Sequence, residues 1–195
     1  MAAGKNAVSS ILTDDGWEAV DADELVHEAI RQKTAEIIAA FSKEAEKAGV
    51  TLTKADGTLD RRALGSILFA DAALLARQES IVYPEVNRLS DAFIASHAGK
   101  NVILNATVLY KIPDLMAKCS AVFYVTAPYL LRLIRAKKRD GMTWRQLFSR
   151  FRSQRELYRL YTETGIPVIT IRNTGDFSKL RHETEAAVKQ ITKNT

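Results

Sequence analysis

The residues Ala3-Gly4-Lys5-Asn6 have the order of the second half of a phosphate-binding loop. In such a loop, backbone N–H groups at the start of a helix and a lysine ammonium surround a phosphate. The same tetrapeptide recurs at Ala98-Gly99-Lys100-Asn101, so the order alone carries little information. Only the first copy leads into apolar residues at helical spacing, whereas the second precedes the strand-like NVILNA, where Gly99 is an ordinary helix stop. The first copy is therefore either a phosphate site formed by Ala3, Gly4, Lys5, Asn6 and Ala7 or a plain flexible N-terminus, and the carboxylates and basic residues described next favour the phosphate site.

The full motif G-x-x-x-x-G-K-[ST] differs from this stretch in two ways. Its first glycine would lie two residues before Met1, and Asn6 replaces the hydroxyl residue that helps to hold Mg²⁺. The Asn6 side chain still offers a neutral carbonyl oxygen, which is a usable Mg²⁺ ligand. A central strand normally precedes the loop, and losing about four of its apolar residues would remove on the order of 6–12 kcal/mol. We therefore expect the first strand of the sheet to be absent from this chain and Met1 to be internal in a longer protein.

Two carboxylates, Asp21 and Asp23, lie at the C-terminal end of a short strand-like segment at residues 17–21. Ligands of α/β sheets collect at the ends of strands, and side chains two residues apart in an extended segment point the same way. A phosphoryl-transfer enzyme needs a carboxylate there to orient the acceptor hydroxyl and take its proton. The alternative is that Asp23 caps the following helix. One carboxylate can do each task, so both interpretations stay open.

Basic residues are concentrated between residues 131 and 159. That segment holds ten Lys or Arg against two acidic residues, so it carries +8 while the rest of the chain carries −3. Arg135 and Arg139 lie one helical turn apart, and Arg150 falls on the next predicted helix. Mobile arginines that close over phosphates stabilise the transferring phosphoryl group, which is the function we favour for this segment.

The same segment has two other interpretations. It is either a solvated basic face or a nucleic-acid surface that uses Trp144, Phe148 and Phe151. Because those three aromatic residues repeat at i, i+4 and i+7, we interpret them as a buried stripe of one helix.

Short apolar strands alternate with helices along the chain. Strands are predicted at residues 17–21, 101–106, 120–126 and 167–171, and this alternation predicts an α/β fold with a parallel sheet and helices on both faces. Residues 23–47 are predicted as one long helix, followed by helices at 60–69 and 71–97. The single Cys119 excludes an internal disulfide. The longest apolar run, residues 121–131, is too short to span a bilayer, and the N-terminal residues do not resemble a signal peptide, so we expect a cytoplasmic protein.

Five stretches resemble, in the same order, the motifs of the dephospho-coenzyme A kinase family. They are VDADELVHE, ADGTLDRRALGSILFAD, IVYPEV, RDGMTWRQLFSRFRSQ and PVITIRNTGDFSKL, of which the second is the most specific. The resemblance implies a three-layer phosphate-loop kinase domain whose core consists of residues 1–22, 98–130 and 164–195. It also implies a helical coenzyme-binding region at 23–97 and a basic helical lid at 131–163.

The resemblance also implies the reaction and its residues. The chain would use ATP and Mg²⁺ to phosphorylate the 3′-hydroxyl of dephospho-coenzyme A, with no nucleic acid or membrane as partner. Gly4 and Lys5 would bind ATP phosphates, and Asp23 would be the leading base candidate with Asp21 second. The remaining implied site residues are Arg61 for the acceptor substrate, Arg139 and Arg150 in the lid, Asn173 beside the nucleotide, and Asn6 at the metal.

The chain departs from the family pattern at several of these positions. Asn6 replaces a hydroxyl residue, Tyr83 a usual histidine and Gly65 a usual arginine, and NATVLYK at 105–111 lacks two carboxylates found in the family. These departures leave a second class open, a nucleotide- or coenzyme-binding protein without catalysis. A nucleoside monophosphate kinase fits the same predicted fold, and a nucleic-acid-binding protein would use the basic helices.

Overall fold

The structure is a computed structural model that describes residues 1–192. Residues 1–19 together with those from 99 onward form one compact unit, and Val20–Ala98 form a second. In chain order the elements are α1 (Lys5–Asp14), β1 (Glu18–Asp21), α2 (Ala22–Gln32), α3 (Thr34–Ala48), α4 (Arg61–Leu68), α5 (Ala72–Ser96), β2 (Val102–Asn105), a 3₁₀ turn (Leu109–Lys111), α6 (Pro113–Met116), β3 (Val122–Thr126), α7 (Tyr129–Asp140), α8 (Trp144–Ser153), α9 (Leu157–Thr162), β4 (Val168–Arg172) and α10 (Phe177–Thr192).

The strands form two hydrogen-bonded pairs, β1 with β2 and β3 with β4. β3 and β4 are parallel, with Val122 opposite Val168 and Thr126 opposite Arg172. Parallel neighbours need a long crossover connection, and here the crossover is the basic segment α7–α9. All four predicted strands are confirmed. The first three are shorter than predicted by one or two residues at one or both ends, and the fourth is shifted by one residue to Val168–Arg172. The predicted α/β class with parallel strands is therefore confirmed.

The main core of the first unit lies between α1, α10 and the strands. α1 contributes Val8, Ile11 and Leu12, whose i, i+3, i+4 spacing places them on one buried face. Ile171 of β4 is fully buried against this face, and Leu180 joins it from α10. Because α1 packs on β4 in this way, the loop that precedes α1 is held beside the carboxyl end of β4.

The basic segment folds as a helical hairpin with its own small core. α7 ends at Gly141, which adopts the left-handed conformation that stops a helix. Thr143 and Gln146 then form a reciprocal capping box that fixes the start of α8. Leu147 and Phe151 on α8 are buried against α7. The arginines of α7 and α8 are therefore carried on helices of defined start and end.

The second unit consists of α2 to α5, and one sequence prediction for it is wrong. Residues 23–47 form two helices separated at Lys33, not one. The Thr34 hydroxyl donates to the Ile30 carbonyl oxygen at 3.0 Å, and a hydroxyl bonded four residues back competes with the helical backbone bond. This competition accounts for a break that apolar spacing does not reveal.

The helices predicted at 60–69 and 71–97 are confirmed as α4 and α5, and an aspartate caps each of them. The Asp60 carboxylate accepts from the backbone N–H groups of Arg62 and Ala63 at the start of α4, and Asp71 caps α5 in the same manner. α5 is the longest helix, with 25 residues. No helix within residues 1–192 combines the length and the apolar content needed to cross a membrane.

Candidate functional site

The carboxyl ends of three strands meet the loop before α1. Asn105 is the last residue of β2, Thr126 is the last of β3, and Asn173 directly follows β4. The Asn173 backbone N–H donates to the Thr126 carbonyl oxygen at 2.7 Å. Ligands of open α/β sheets bind at these strand ends, so the loop before α1 occupies the expected place for a ligand site.

Gly4 is the residue that shapes this loop. Its φ of 106° lies in the left-handed region, and a Cβ added there would overlap the Nδ2 atom of Asn173. That same Nδ2 atom donates to the Ala3 carbonyl oxygen at 2.8 Å, and Asn173 is buried. Only glycine satisfies both the backbone conformation and the close approach. The hydrogen bond thus fixes the loop to the end of β4.

Lys5 is the first residue of α1, and no side chain caps this helix start. Gly4 acts as the N-cap without a side-chain oxygen, and its carbonyl accepts from the Val8 N–H at 3.0 Å. The first N–H groups of a helix carry a partial positive charge and favour an anion. A helix N-terminus with a lysine at its first position therefore offers both parts of a phosphate site.

Two asparagine side chains meet at the start of α1. The Nδ2 of Asn105 donates to the Oδ1 of Asn6 at 3.3 Å, which joins the helix to the end of β2. Among residues 1–192, no group of three or more His, Cys, Asp or Glu is placed to hold a metal ion. The donor set beside this loop is thus neutral amide oxygen. It fits a Mg²⁺ ion whose charge is balanced by nucleotide phosphates better than a resident protein-bound ion.

The carboxylates Asp21 and Asp23 lie at the β1–α2 junction, as predicted, but their geometry differs from the prediction. α2 already begins at Ala22, so the two residues are not both extended. Asp21 is the N-cap, and its Oδ1 accepts from the Asp23 N–H at 2.9 Å. The capping task therefore belongs to Asp21, whereas the Asp23 side chain is exposed in the first turn.

Arg61, the predicted substrate residue, is also part of the second unit. It is the first residue of α4, immediately after the cap Asp60, and its side chain is exposed. At this helix start the N–H groups of Arg62 and Ala63 are already bonded to Asp60, so the exposed Arg61 guanidinium is the group that could contact an anion.

The predicted lid arginines differ in their contacts. The Arg139 guanidinium pairs with the Asp140 carboxylate, with its Nε 2.6 Å from Oδ1 and its terminal nitrogen 3.0 Å from Oδ2. This bidentate hydrogen bonding raises the pKa of Arg139 and lowers the pKa of Asp140. Arg150 is exposed on α8 and forms no salt bridge within the described part of the chain, although its charge helps to lower the pKa of Asp140. Arg150 therefore has the more available guanidinium for an anion.

The predicted buried aromatic stripe of α8 is wrong at two of its three positions. Phe151 is buried, but Trp144 and Phe148 are each 49% exposed. The buried face of α8 instead runs through Leu147 and Phe151, because these are the residues that pack on α7. The buried face of α8 is therefore rotated about the helix axis from the predicted one, which leaves the rings of Trp144 and Phe148 exposed to solvent.

A buried tyrosine organises the segment after β2. The Tyr161 hydroxyl on α9 accepts from the Leu109 N–H at 2.9 Å and donates to the Thr107 carbonyl oxygen at 3.1 Å. Burial raises the pKa of Tyr161 to about 12. Its ring also packs edge-on against Tyr110. The connection from β2 to α6 is thereby fixed to the end of the basic segment.

These features define a class of protein. An α/β unit in which an Ala-Gly-Lys loop enters an uncapped helix at the ends of parallel strands, with a basic crossover nearby, is a phosphate-loop nucleotide-binding protein. The sequence profile of the family described as dephospho-CoA kinase matches residues 1–161. The chain belongs to the dephospho-CoA kinase family, which confirms the family predicted from the sequence motifs.

Individual relatives agree with this assignment. The dephospho-CoA kinase of Treponema denticola is 31% identical over 192 residues, which covers 96% of this chain and 85% of the relative. That of Treponema pallidum is 33% identical over 186 residues, covering 94% and 88%. A Thermus thermophilus protein of known structure aligns with a TM-score of 0.78 at 25% identity, covering 97% of this chain and 93% of that one. The Campylobacter jejuni dephospho-CoA kinase shares the fold, with a TM-score of 0.67 at 22% identity, covering 100% and 94%.

Sequence reasoning missed two contributors to this site. In the sequence Asn105 stands out only as a departure from the family pattern, although a polar residue at a strand end beside a phosphate loop is itself a signal. Tyr161 gave no signal, because its two bonds join segments more than fifty residues apart in sequence.

Proposed function

We propose that this chain transfers the γ-phosphoryl group of ATP to the 3′-hydroxyl of dephospho-coenzyme A, which gives coenzyme A and ADP. The observation that supports this most directly is the glycine-dependent loop, joined to Asn173, at the uncapped start of α1. Family membership supplies the acceptor substrate. The relatives matched by this chain carry the name of a kinase, which favours catalysis over binding alone.

The ATP phosphates bind at residues 3–7 in this proposal. The first N–H groups of α1 and the Lys5 ammonium balance the phosphate charge, and the Asn173 amide holds the loop in place. Arg150 from α8 neutralises the charge that develops on the transferring group, with Arg139 as a second cation once Asp140 releases it. Residues 131–163 are the lid in this mechanism.

The acceptor belongs to the second unit. Residues 23–97 would bind dephospho-coenzyme A, with Arg61 at an anionic group of that substrate. The 3′-oxygen attacks the γ-phosphorus, and the bond from that phosphorus to the β–γ bridging oxygen breaks, leaving ADP. The Asp23 carboxylate takes the hydroxyl proton, and Asp21 keeps α2 in register as its cap.

A divalent cation fits this site as part of the nucleotide complex. Asn6 would contribute its amide oxygen as a ligand, and a Mg²⁺ ion held there with ATP would supply neutralisation of phosphate charge. The hydrogen bond from Asn105 orients the Asn6 amide, so Asn105 is a positioning residue for that ligand. The proposal includes a cytoplasmic location, where ATP is available.

The test is a coupled assay of ADP release with dephospho-coenzyme A as acceptor. Wild-type protein should release ADP only with this acceptor, and Asp23→Asn should lower kcat by about 10²–10⁴-fold. Glu24→Gln is the matched control, since Glu24 is the neighbouring exposed acid in the same first turn of α2. Near wild-type turnover by Asp23→Asn would exclude it as the base, and acceptor-independent ADP release would contradict the kinase assignment.

A further inference from the structure

An exposed aromatic pair lies on α8, within the lid segment, and the mechanism gives neither ring a role. The rings of Trp144 and Phe148 are near-parallel, 27° apart in plane and 6.3 Å between centroids. Each residue keeps 49% of its surface exposed. Large aromatic side chains held side by side in solvent are unusual unless they meet a partner.

The pair is held rigidly. Trp144 is the first residue of α8 and directly follows the N-cap Thr143, which forms a capping box with Gln146. The Lys137 ammonium lies 5.5 Å from the centroid of the Trp144 ring and donates to the Met142 carbonyl oxygen at 2.6 Å. The cation and the cap fix the indole before any ligand arrives, so its stacking would cost little ordering entropy.

Arginines extend this face. Arg152 lies four residues after Phe148, so Trp144, Phe148 and Arg152 follow one line along the helix, which we call the aromatic stripe. Arg145 is adjacent to it. Both arginines are exposed and form no ion pair within residues 1–192. The stripe therefore combines flat π surfaces with unused positive charge.

We propose that the aromatic stripe is a stacking site for the adenine base of an adenine nucleotide, with Arg152 or Arg145 at a phosphate of the same molecule. A base stacks on aromatic rings through its π face, and guanidinium groups bind phosphate. An apolar protein partner fits less well, because the stripe continues into arginines and not into aliphatic residues. The inference rests on the proposed function, since both ATP and dephospho-coenzyme A carry adenine.

Calorimetric titration of three ligands tests this site. ATP and dephospho-coenzyme A contain the base, and inorganic tripolyphosphate carries phosphate charge without it. Trp144→Ala should raise Kd for at least one adenine ligand by roughly 5- to 150-fold, the range expected for losing one base–aromatic stack. Kd for tripolyphosphate should stay within about twofold. Trp144→Phe should recover most of the affinity, because it retains a ring.

The control is Ile134→Ala, which removes an apolar side chain that is 63% exposed on the neighbouring α7. It should leave all three affinities unchanged. A rise in Kd for ATP alone assigns the site to the ATP base, and a rise for dephospho-coenzyme A alone assigns it to the acceptor. An equal rise for tripolyphosphate, or no rise for either adenine ligand, overturns the proposal.

Intrinsic fluorescence gives a second readout that does not need the alanine variant. The chain has two tryptophans, and Trp17 packs against Phe123 in the core of the first unit. The adenine ligand should quench wild-type emission, and Trp144→Phe should abolish that quenching. Quenching that persists in Trp144→Phe contradicts the proposal.

The kinase assay separates this inference from the proposed function. If the wild-type enzyme is active but Trp144→Ala has unchanged affinity for both adenine ligands, the proposed function stands and the stacking site is refuted. If the wild-type chain is inactive but Trp144→Ala binds ATP more weakly, the proposed function is refuted and the stacking site is supported. Loss of single-stranded nucleic-acid binding in Trp144→Ala, with unchanged adenine affinities, would also overturn the stripe as a nucleotide site.

Discussion

Replacing Gly4 by alanine tests the loop geometry most directly. An alanine at a φ of 106° is strained by about 1–2 kcal/mol. Its Cβ would also displace the Asn173 amide from the Ala3 carbonyl oxygen, and an unsatisfied buried polar group costs about 1–3 kcal/mol. Gly4→Ala should therefore lower the free energy of unfolding by roughly 2–5 kcal/mol.

The second AGKN tetrapeptide supplies the control. Gly99 has a φ of 81°, also in the left-handed region, but a Cβ added there meets nothing within 4 Å. Gly99→Ala should cost only the backbone strain, about 1–2 kcal/mol, and leave ATP affinity unchanged. Both glycines are preceded by Ala and followed by Lys and Asn. The difference in stability loss between the two variants therefore measures the contact with Asn173.

The assay is urea unfolding followed by circular dichroism, together with calorimetric titration of ATP. Gly4→Ala should also weaken ATP binding, because the displaced loop no longer aims its N–H groups at a phosphate. In an Asn173→Ala background, Gly4→Ala should cost only the strain term, which is a non-additive result for two contacting sites. Equal losses of stability in Gly4→Ala and Gly99→Ala would refute the close approach as the reason for glycine.

Two further predictions concern residues that join elements of the first unit. Tyr161→Phe should lower the free energy of unfolding by about 1–3 kcal/mol, since the Leu109 N–H and the Thr107 carbonyl lose their partner; an unchanged urea midpoint would contradict this. Burial raises the pKa of Tyr161 to about 12. The stabilisation that depends on the neutral hydroxyl is therefore complete below about pH 10 and falls by on the order of 2–3 kcal/mol as the pH rises towards 12. The difference in free energy of unfolding between the wild type and Tyr161→Phe should shrink over that range. Asn105→Asp should weaken the binding of metal-free ATP about fivefold, through roughly 1 kcal/mol of charge repulsion, and leave the binding of MgATP unchanged. Calorimetric titrations in EDTA and in Mg²⁺ measure the two affinities. Equal effects on both would show that Asn105 does not face the phosphates.

The sequence predicts local structure well where one short-range cause dominates. The starts of α4 and α5 are predicted correctly, because the side-chain oxygen of Asp60 or Asp71 accepts from amides only two or three residues later and so marks the helix start locally. The strands β3 and β4 are predicted from their β-branched apolar runs. The helix break at Lys33 is not predicted. The apolar periodicity around Thr34 would be the same with or without the hydrogen bond from its hydroxyl to the Ile30 carbonyl oxygen.

The candidate site is less visible in sequence because its geometry depends on tertiary contacts. The i, i+4, i+7 spacing of Trp144, Phe148 and Phe151 fits a buried stripe, but the facing surface of α7 accepts Leu147 and Phe151 instead. The spacing of apolar residues indicates that one face of the helix is buried, but it does not fix the direction of that face more closely than about one residue. That choice decides whether the aromatic rings contribute to stability or stand available for a ligand.

The two AGKN copies show how one local sequence acquires two different constraints. Both glycines adopt a positive φ, so the tetrapeptide alone accounts for the backbone conformation in each case. Only Gly4 is packed under the side chain of Asn173, which reaches it because β3 and β4 are parallel neighbours and Asn173 extends the second of them. The sheet therefore adds a steric requirement for glycine at Gly4 to the backbone requirement that both copies share. Substitutions that shift the end of β4 should consequently relax the glycine requirement and weaken phosphate binding together, whereas substitutions around Gly99 should do neither.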